Sequence, residues 1–126
     1  MRSFIAALLV AAMLAGGAIG YGIYIERTAD TLHGYTDRIS GEIDAQNFVA
    51  AREITMELAE EITDRKEILG AICDHKDIYD MQRLLAELIC FLEEEELPDS
   101  RSHCAAVSMM IEKLSGNTAP ALFNVL

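Results

Sequence analysis

The chain has 126 residues, 52% of them apolar, yet its formal net charge is −11. This length holds one small domain beside a terminal segment and excludes a two-domain protein. So acidic a balance is repelled by nucleic acid and by anionic lipid head groups, which excludes a nucleic-acid-binding function.

The first element is the segment Phe4–Ile25, with no charge between Arg2 and Glu26. As a helix its 22 residues span about 33 Å at 1.5 Å per residue, enough for a hydrocarbon core of about 30 Å. A cleaved signal peptide is the rival reading, with Ala15-Gly16-Gly17 or Ala18-Ile19-Gly20 as the cleavage site. Retention is favoured, because the apolar run continues through Tyr21-Gly22-Ile23-Tyr24-Ile25 and two tyrosines suit a membrane interface. No cysteine follows the small residues, so nothing supports a lipoprotein anchor. The amino terminus and Arg2 favour a cytoplasmic N-terminus, with Arg27 weakening that bias; the rest of the chain is expected outside. Ala12, Gly16 and Gly20 form a small-residue line along this helix, the pattern that lets two membrane helices approach closely.

Apolar residues then recur at spacings of three and four. The first stripe is Ile25, Leu32, Tyr35, Ile39 and Ile43, with no breaker between Ile25 and Leu32, so the membrane helix is expected to continue outward. The second is Phe48, Ala51, Ile54, Leu58, Ile62, then Leu69 and Ile72. The third is Ile78, Met81, Leu85, Leu88 and Leu92, and the fourth Cys104, Val107, Ile111 and Leu114. These are amphipathic-helix periods, not strand alternation. Breaks are expected at Asp44–Asn47, Asp74–Asp77, Leu97–Ser100 and Gly116–Pro120, with Asp99 or Ser100 capping the last helix after Pro98. The fold expected is all-α: one transmembrane helix continuing into a small antiparallel domain of about four helices, as two hairpins. The divisions are 1–27 for the anchor, 28–116 for the acidic domain and 117–126 for an apolar tail.

Chemistry is sparse. Asp74, His75 and Asp77 are metal-capable and adjacent, but they fall at a helix junction, where Asp74 or Asp77 would cap the following helix. A zinc site normally gathers three or four ligands at fixed spacing, and His33 and His103 have none. Glu93–Glu96 reads as a solvated helix end without the loop spacing of a calcium-binding hand. Arg65 lies within the second apolar stripe, its stem covering apolar surface and its head reaching water; the alternative is a buried ion pair with a carboxylate of a neighbouring helix. Cys73, Cys90 and Cys104 are an odd number, and Cys90 points away from the stripe of its helix, so no disulfide within the chain is expected.

Taken in order, the N-terminal anchor, the turn Ala45-Gln46-Asn47-Phe48, the junction Asp74-His75-Lys76-Asp77-Ile78, the helix end Glu93–Glu96 and the terminus Phe123-Asn124-Val125-Leu126 resemble the domain-of-unknown-function 4363 family, small bacterial membrane-anchored helical proteins. Relatives tend to carry tryptophan in the second helix, and this chain has none. The resemblance implies a bacterial, Gram-positive envelope setting and, as first partner, a small multi-span membrane protein; it implies no reaction. Two functions are therefore weighed. The favoured one is a non-catalytic accessory or interaction protein with no cofactor, held in lipid through residues 4–25, docking on a membrane protein or on a second copy. The alternative is a metal-dependent hydrolase or ion-binding sensor centred on Asp74, His75 and Asp77.

Overall fold

The computed structural model describes the backbone of residues 1–125 and the surroundings of every side chain up to Leu114 except Ile72. All of its described elements are helices: α1 (Arg2–Asp44), α2 (Phe48–Asp64), α3 (Lys66–Ile72), α4 (His75–Glu93) and α5 (Leu97–Val125).

The first helix runs unbroken for 43 residues, roughly 64 Å. Its two halves live in different surroundings. Up to Tyr24 no side chain is buried, whereas Ile25, Thr28, Ala29, Leu32, Thr36, Ile39 and Ile43 are buried against the other helices. By length and composition the bare half is sufficient to cross a membrane. The buried half keeps the expected stripe, with two differences. Tyr35 lies only at its edge, and Thr28 and Thr36 stand inside it. A helical threonine can enter an apolar face by returning its hydroxyl to a carbonyl of the preceding turn; Thr36 Oγ1 donates to the His33 carbonyl at 3.0 Å.

Beyond Ile25 the long helices form a four-cornered bundle. α1 packs on α2 and α5, and α4 also packs on α2 and α5, so α1 and α4 occupy opposite corners. The core is one continuous cluster in which Leu32, Ile39, Ile43, Leu58, Ile62, Leu85, Leu88, Leu92, Val107 and Ile111 are almost wholly buried. The far end is closed by two matching turns. At the first, Gln46 adopts φ 60° and the Asn47 N–H returns to the Glu42 carbonyl at 2.8 Å. At the second, Glu95 adopts φ 55° and the Glu96 N–H returns to the Phe91 carbonyl at 3.0 Å. Both close orphan helix carbonyls with one left-handed residue, a position that usually takes glycine. Arg52 pairs with Glu93 at 2.9 Å and Arg101 with Asp44 at 3.1 Å across this end. All four groups are solvated, so each pair contributes under about 1 kcal/mol.

Three expectations are corrected. The second helix is not continuous: it breaks at Arg65 into α2 and the short α3, which gives five helices rather than four. The last helix begins at Leu97, so Asp99 and Ser100 lie within its first turn rather than capping it. The Ser100 N–H already bonds the Glu96 carbonyl at 3.0 Å, and Pro98 is tolerated there because a first-turn N–H has no helical partner. The same helix continues through the expected break at Gly116–Pro120. The side chains of the 117–126 tail, and of Ile72 in the second stripe, fall outside the described residues.

Leu85 and Leu88 lie at the centre of α4, 1% and 0% exposed, whereas Cys90 is exposed. Leu85→Ala and Leu88→Ala should each cost about 2–5 kcal/mol in a denaturant titration, with Cys90→Ser near neutral. Glu95→Gly should instead stabilise, by up to about 1 kcal/mol, by relieving a left-handed non-glycine residue.

Candidate functional site

Two surfaces carry what is unusual in this chain: the bare half of α1 and the base of the bundle where α2, α3 and α4 meet it.

Along the bare half the small-residue line is open. A side chain added at Gly16, Gly17 or Gly20 would meet nothing within 4 Å, and Phe4, Leu8, Leu9, Met13 and Leu14 stand exposed beside it. Among the described residues none packs against Gly16 or Gly20.

At the base, Arg65 settles the break between α2 and α3. Its Nε donates to Glu61 Oε1 at 2.7 Å and its Nη1 to Thr28 Oγ1 of α1 at 3.1 Å. The carboxylate partner thus comes from its own helix, four residues back, and the neighbouring helix supplies a hydroxyl instead of a charge. The side chain is 26% exposed, so the guanidinium is neither free in water nor sealed in an inter-helix ion pair. Glu61 sits one turn earlier on the same helix face and reaches the guanidinium locally, while Thr28 is what α1 presents at that height.

Asp74, His75 and Asp77 do not converge. Asp74 caps α4, Oδ1 accepting from the Lys76 N–H at 3.4 Å. The His75 ring packs over Gly70 of α3, so close that a Cβ there would lie 2.9 Å from Cε1. Asp77 pairs with Lys113 of α5 at 3.4 Å. Among the described residues no three His, Cys, Asp or Glu side chains gather as metal ligands. Their contacts have a mechanical consequence: glycine at position 70 lets α3 and the start of α4 close into a tight elbow, and the cap starts α4 in the new direction. Leu32, Leu69, Cys73, Asp77, Met81 and Lys113 are among the residues lining a mostly apolar, partly open cavity of about 20 Å³, room for about one water molecule.

One contact at the elbow is not legible in the sequence. Lys66 places its ammonium 5.5 Å from the centre of the Tyr79 ring, a cation–π contact. No periodicity could find this pair, because it joins positions on different segments.

The remaining titrating groups lie elsewhere. Glu96 is raised by a hydrogen bond with Asp99, a small desolvation and the charges of Asp99 and Glu94. His103 sits between two acceptors, the Asp99 carbonyl at 3.1 Å from Nδ1 and Glu87 Oε2 at 2.8 Å from Nε2, and packs on Phe91. Burial raises the Cys73 thiol, with Asp77 adding to it. Cys104 is buried, its thiol directed at the Thr36 carbonyl at 3.7 Å, while Cys90 is exposed.

A family model described as "Domain of unknown function (DUF4363)" matches residues 21–125. No curated protein and no solved structure matches the chain.

Burial pushes the Cys104 thiol from an ordinary 9.0 up to about 11, Asp44 and Asp37 adding to the shift. A thiol kept neutral only in the folded state contributes its full stability below pH 9 and loses it as pH rises towards about 11, because the unfolded chain ionises first. Denaturant titrations across that window should therefore show a steeper loss of stability for the native chain than for Cys104→Ala. Equal slopes would place the thiol in water.

Proposed function

The chain belongs to the DUF4363 family, and on that premise we propose that it is a non-catalytic, membrane-anchored accessory protein of the bacterial cell envelope. Residues 4–25 cross the membrane, the N-terminus is cytoplasmic, and the acidic bundle stands outside and docks on another membrane protein.

The observation that carries this reading is the continuity of α1. One helix supplies both the apolar, unpacked half and a corner of the bundle. Burying Ile25 and Thr28 at the crossover leaves no free linker between the two. A flexible tether would only localise the domain, whereas a continuous helix fixes its height and orientation over the bilayer. That suits a protein whose task is to present a surface to a neighbour. The exposed carboxylates give that surface its charge, and the groups that might have held a metal, Asp74, His75 and Asp77, each have a structural task instead.

The span is the second docking surface. Lipid tails are as apolar as leucine, so membrane helices associate through close packing rather than hydrophobicity. The line Ala12, Gly16, Gly20 permits such an approach by a partner helix or by a second copy.

The mature protein should have the mass of a chain retaining its span; one beginning near Ala18 or Tyr21 would show a secreted domain. A membrane-impermeant maleimide should label intact cells at Cys90, and Cys90→Ser should abolish most of that label. Gly16→Ile and Gly20→Ile should reduce what co-purifies in mild detergent while leaving helicity and expression unchanged, since neither position touches the bundle. Unchanged association would leave recognition to the acidic domain alone.

A further inference from the structure

The last helix outruns the bundle at its base. α5 runs from Leu97 to Val125, and its charged side chains end at Lys113. Lys113 pairs with Asp77 at 3.4 Å, and α4 begins at His75, two residues before that partner. The twelve residues of α5 after Lys113, about 18 Å of helix, therefore continue past the start of α4.

Two contacts fix how far down α1 they reach. Arg101 Nε lies 3.1 Å from Asp44 Oδ1, and Cys104 Sγ lies 3.7 Å from the Thr36 carbonyl oxygen. α5 is antiparallel to α1 and rises by the same step, so each residue added to α5 descends by one residue of α1. Counted from these contacts, Lys113 is level with the stretch from Leu32 to Arg27, and Val125 with the stretch from Gly20 to Ala15. The end of α5 stands about 8–15 Å below Ile25, the last residue of the apolar segment. A kink at Pro120 tilts the last turns without reversing their descent.

Both helices lose their charge at one height. Going down α1 the charges stop at Glu26 and return only at Arg2; going down α5 they stop at Lys113. α1 also offers a face at this level. Ala18 and Gly22 are half-buried while every other residue up to Tyr24 is exposed. At spacings of four and three they continue the stripe of Ile25 and Ala29 that α1 turns to the bundle. Small residues there leave room for a second helix. Gly16 and Gly20 lie about 200° away around α1, on the opposite side.

We propose that the end of α5, residues 117–125, is a re-entrant segment that enters the outer leaflet beside α1 and seats among its acyl chains without crossing. The proposal rests on the membrane-spanning reading of residues 4–25. The bilayer is its occupant because this stretch has no charged side chain and lies level with the apolar half of α1. A helix satisfies its own backbone groups, so it can enter lipid as α1 does. Nine residues make about 13 Å, well short of a hydrocarbon core of about 30 Å, so the segment ends within the leaflet. A single span would let the bundle swivel about α1; a second insertion beside it fixes which face of the bundle meets a neighbour.

Because the chain has no tryptophan, a single introduced indole reports its own depth. Full-length protein carrying Ala121→Trp, Phe123→Trp, Leu14→Trp or Val49→Trp is reconstituted into phosphatidylcholine vesicles with a share of the lipid brominated at a shallow or a deep acyl position. Positions 121 and 123 lie on opposite sides of a helix, so one of them meets lipid whichever way the segment is turned. That indole should emit to the blue of the one at position 49 and be quenched more by shallow bromine than by deep. Position 14, at mid-span, should be quenched more by deep bromine. Leu122→Asp with Val125→Asp should remove most of the quenching at positions 121 and 123 and leave helicity unchanged. If both positions are unquenched and emit as far to the red as position 49, beside a quenched position 14, the segment lies in water and the proposal is overturned. Blue-shifted but unquenched emission from both would overturn it too, showing protein on every side. An unquenched position 14 would overturn the spanning reading, and this proposal with it.

Discussion

The structure depends on how α1 changes its surroundings at Ile25 without changing its conformation. Below that residue the helix is apolar and none of its side chains is buried among the described residues; above it, one stripe from Ile25 to Ile43 is covered and the opposite side is polar. A backbone whose hydrogen bonds are satisfied within the helix can pass from lipid to water at no conformational cost, which no other spanning element in this chain could do. The other helices then have a fixed edge to pack on. α2 and α5 take the two sides of the stripe, and α4 closes the fourth corner without needing α1. If α1 were interrupted at Arg27, the bundle and the apolar half would be separate bodies.

That constraint accounts for the contacts that the polar residues at the base make. The chain must turn from α2 to α4 beside α1, within a few residues and without exposing helix ends to apolar surroundings. Asp74 satisfies the first amides of α4, glycine at position 70 makes room for the His75 ring, and Arg65 ties the break to α1 through a hydroxyl. At the far end the same problem is solved twice by one turn, with Gln46 and Glu95 in the left-handed conformation. The acids Glu93–Glu96 oppose the dipole of α4 but lie at the start of α5, where negative charge is favourable. That sharing makes the run tolerable between two helices.

Periodicity alone carried most of the architecture. Spacing of apolar residues determined the four core stripes, and almost every residue named in them from Leu32 to Leu114 is buried, because an amphipathic helix has only one face to hide. Absence of charge from Phe4 to Ile25 determined the long apolar helix, and the lack of a breaker after it determined that the helix runs on. Asp74 was legible as a cap from its place before an apolar run. Thr28 and Thr36 were not legible as core, since a polar residue type says nothing of whether its hydroxyl has been returned to the backbone.

What tertiary structure decided is which distant segments share a height. The partners of Arg65 could not be read from a helix wheel, which gives direction around an axis but not the neighbour that stands there. The break at Arg65 follows no proline or glycine, and only the packed bundle shows it. Local order is set by neighbours in the chain, which the sequence states directly; relative height is set by packing, which exists only once the helices have met.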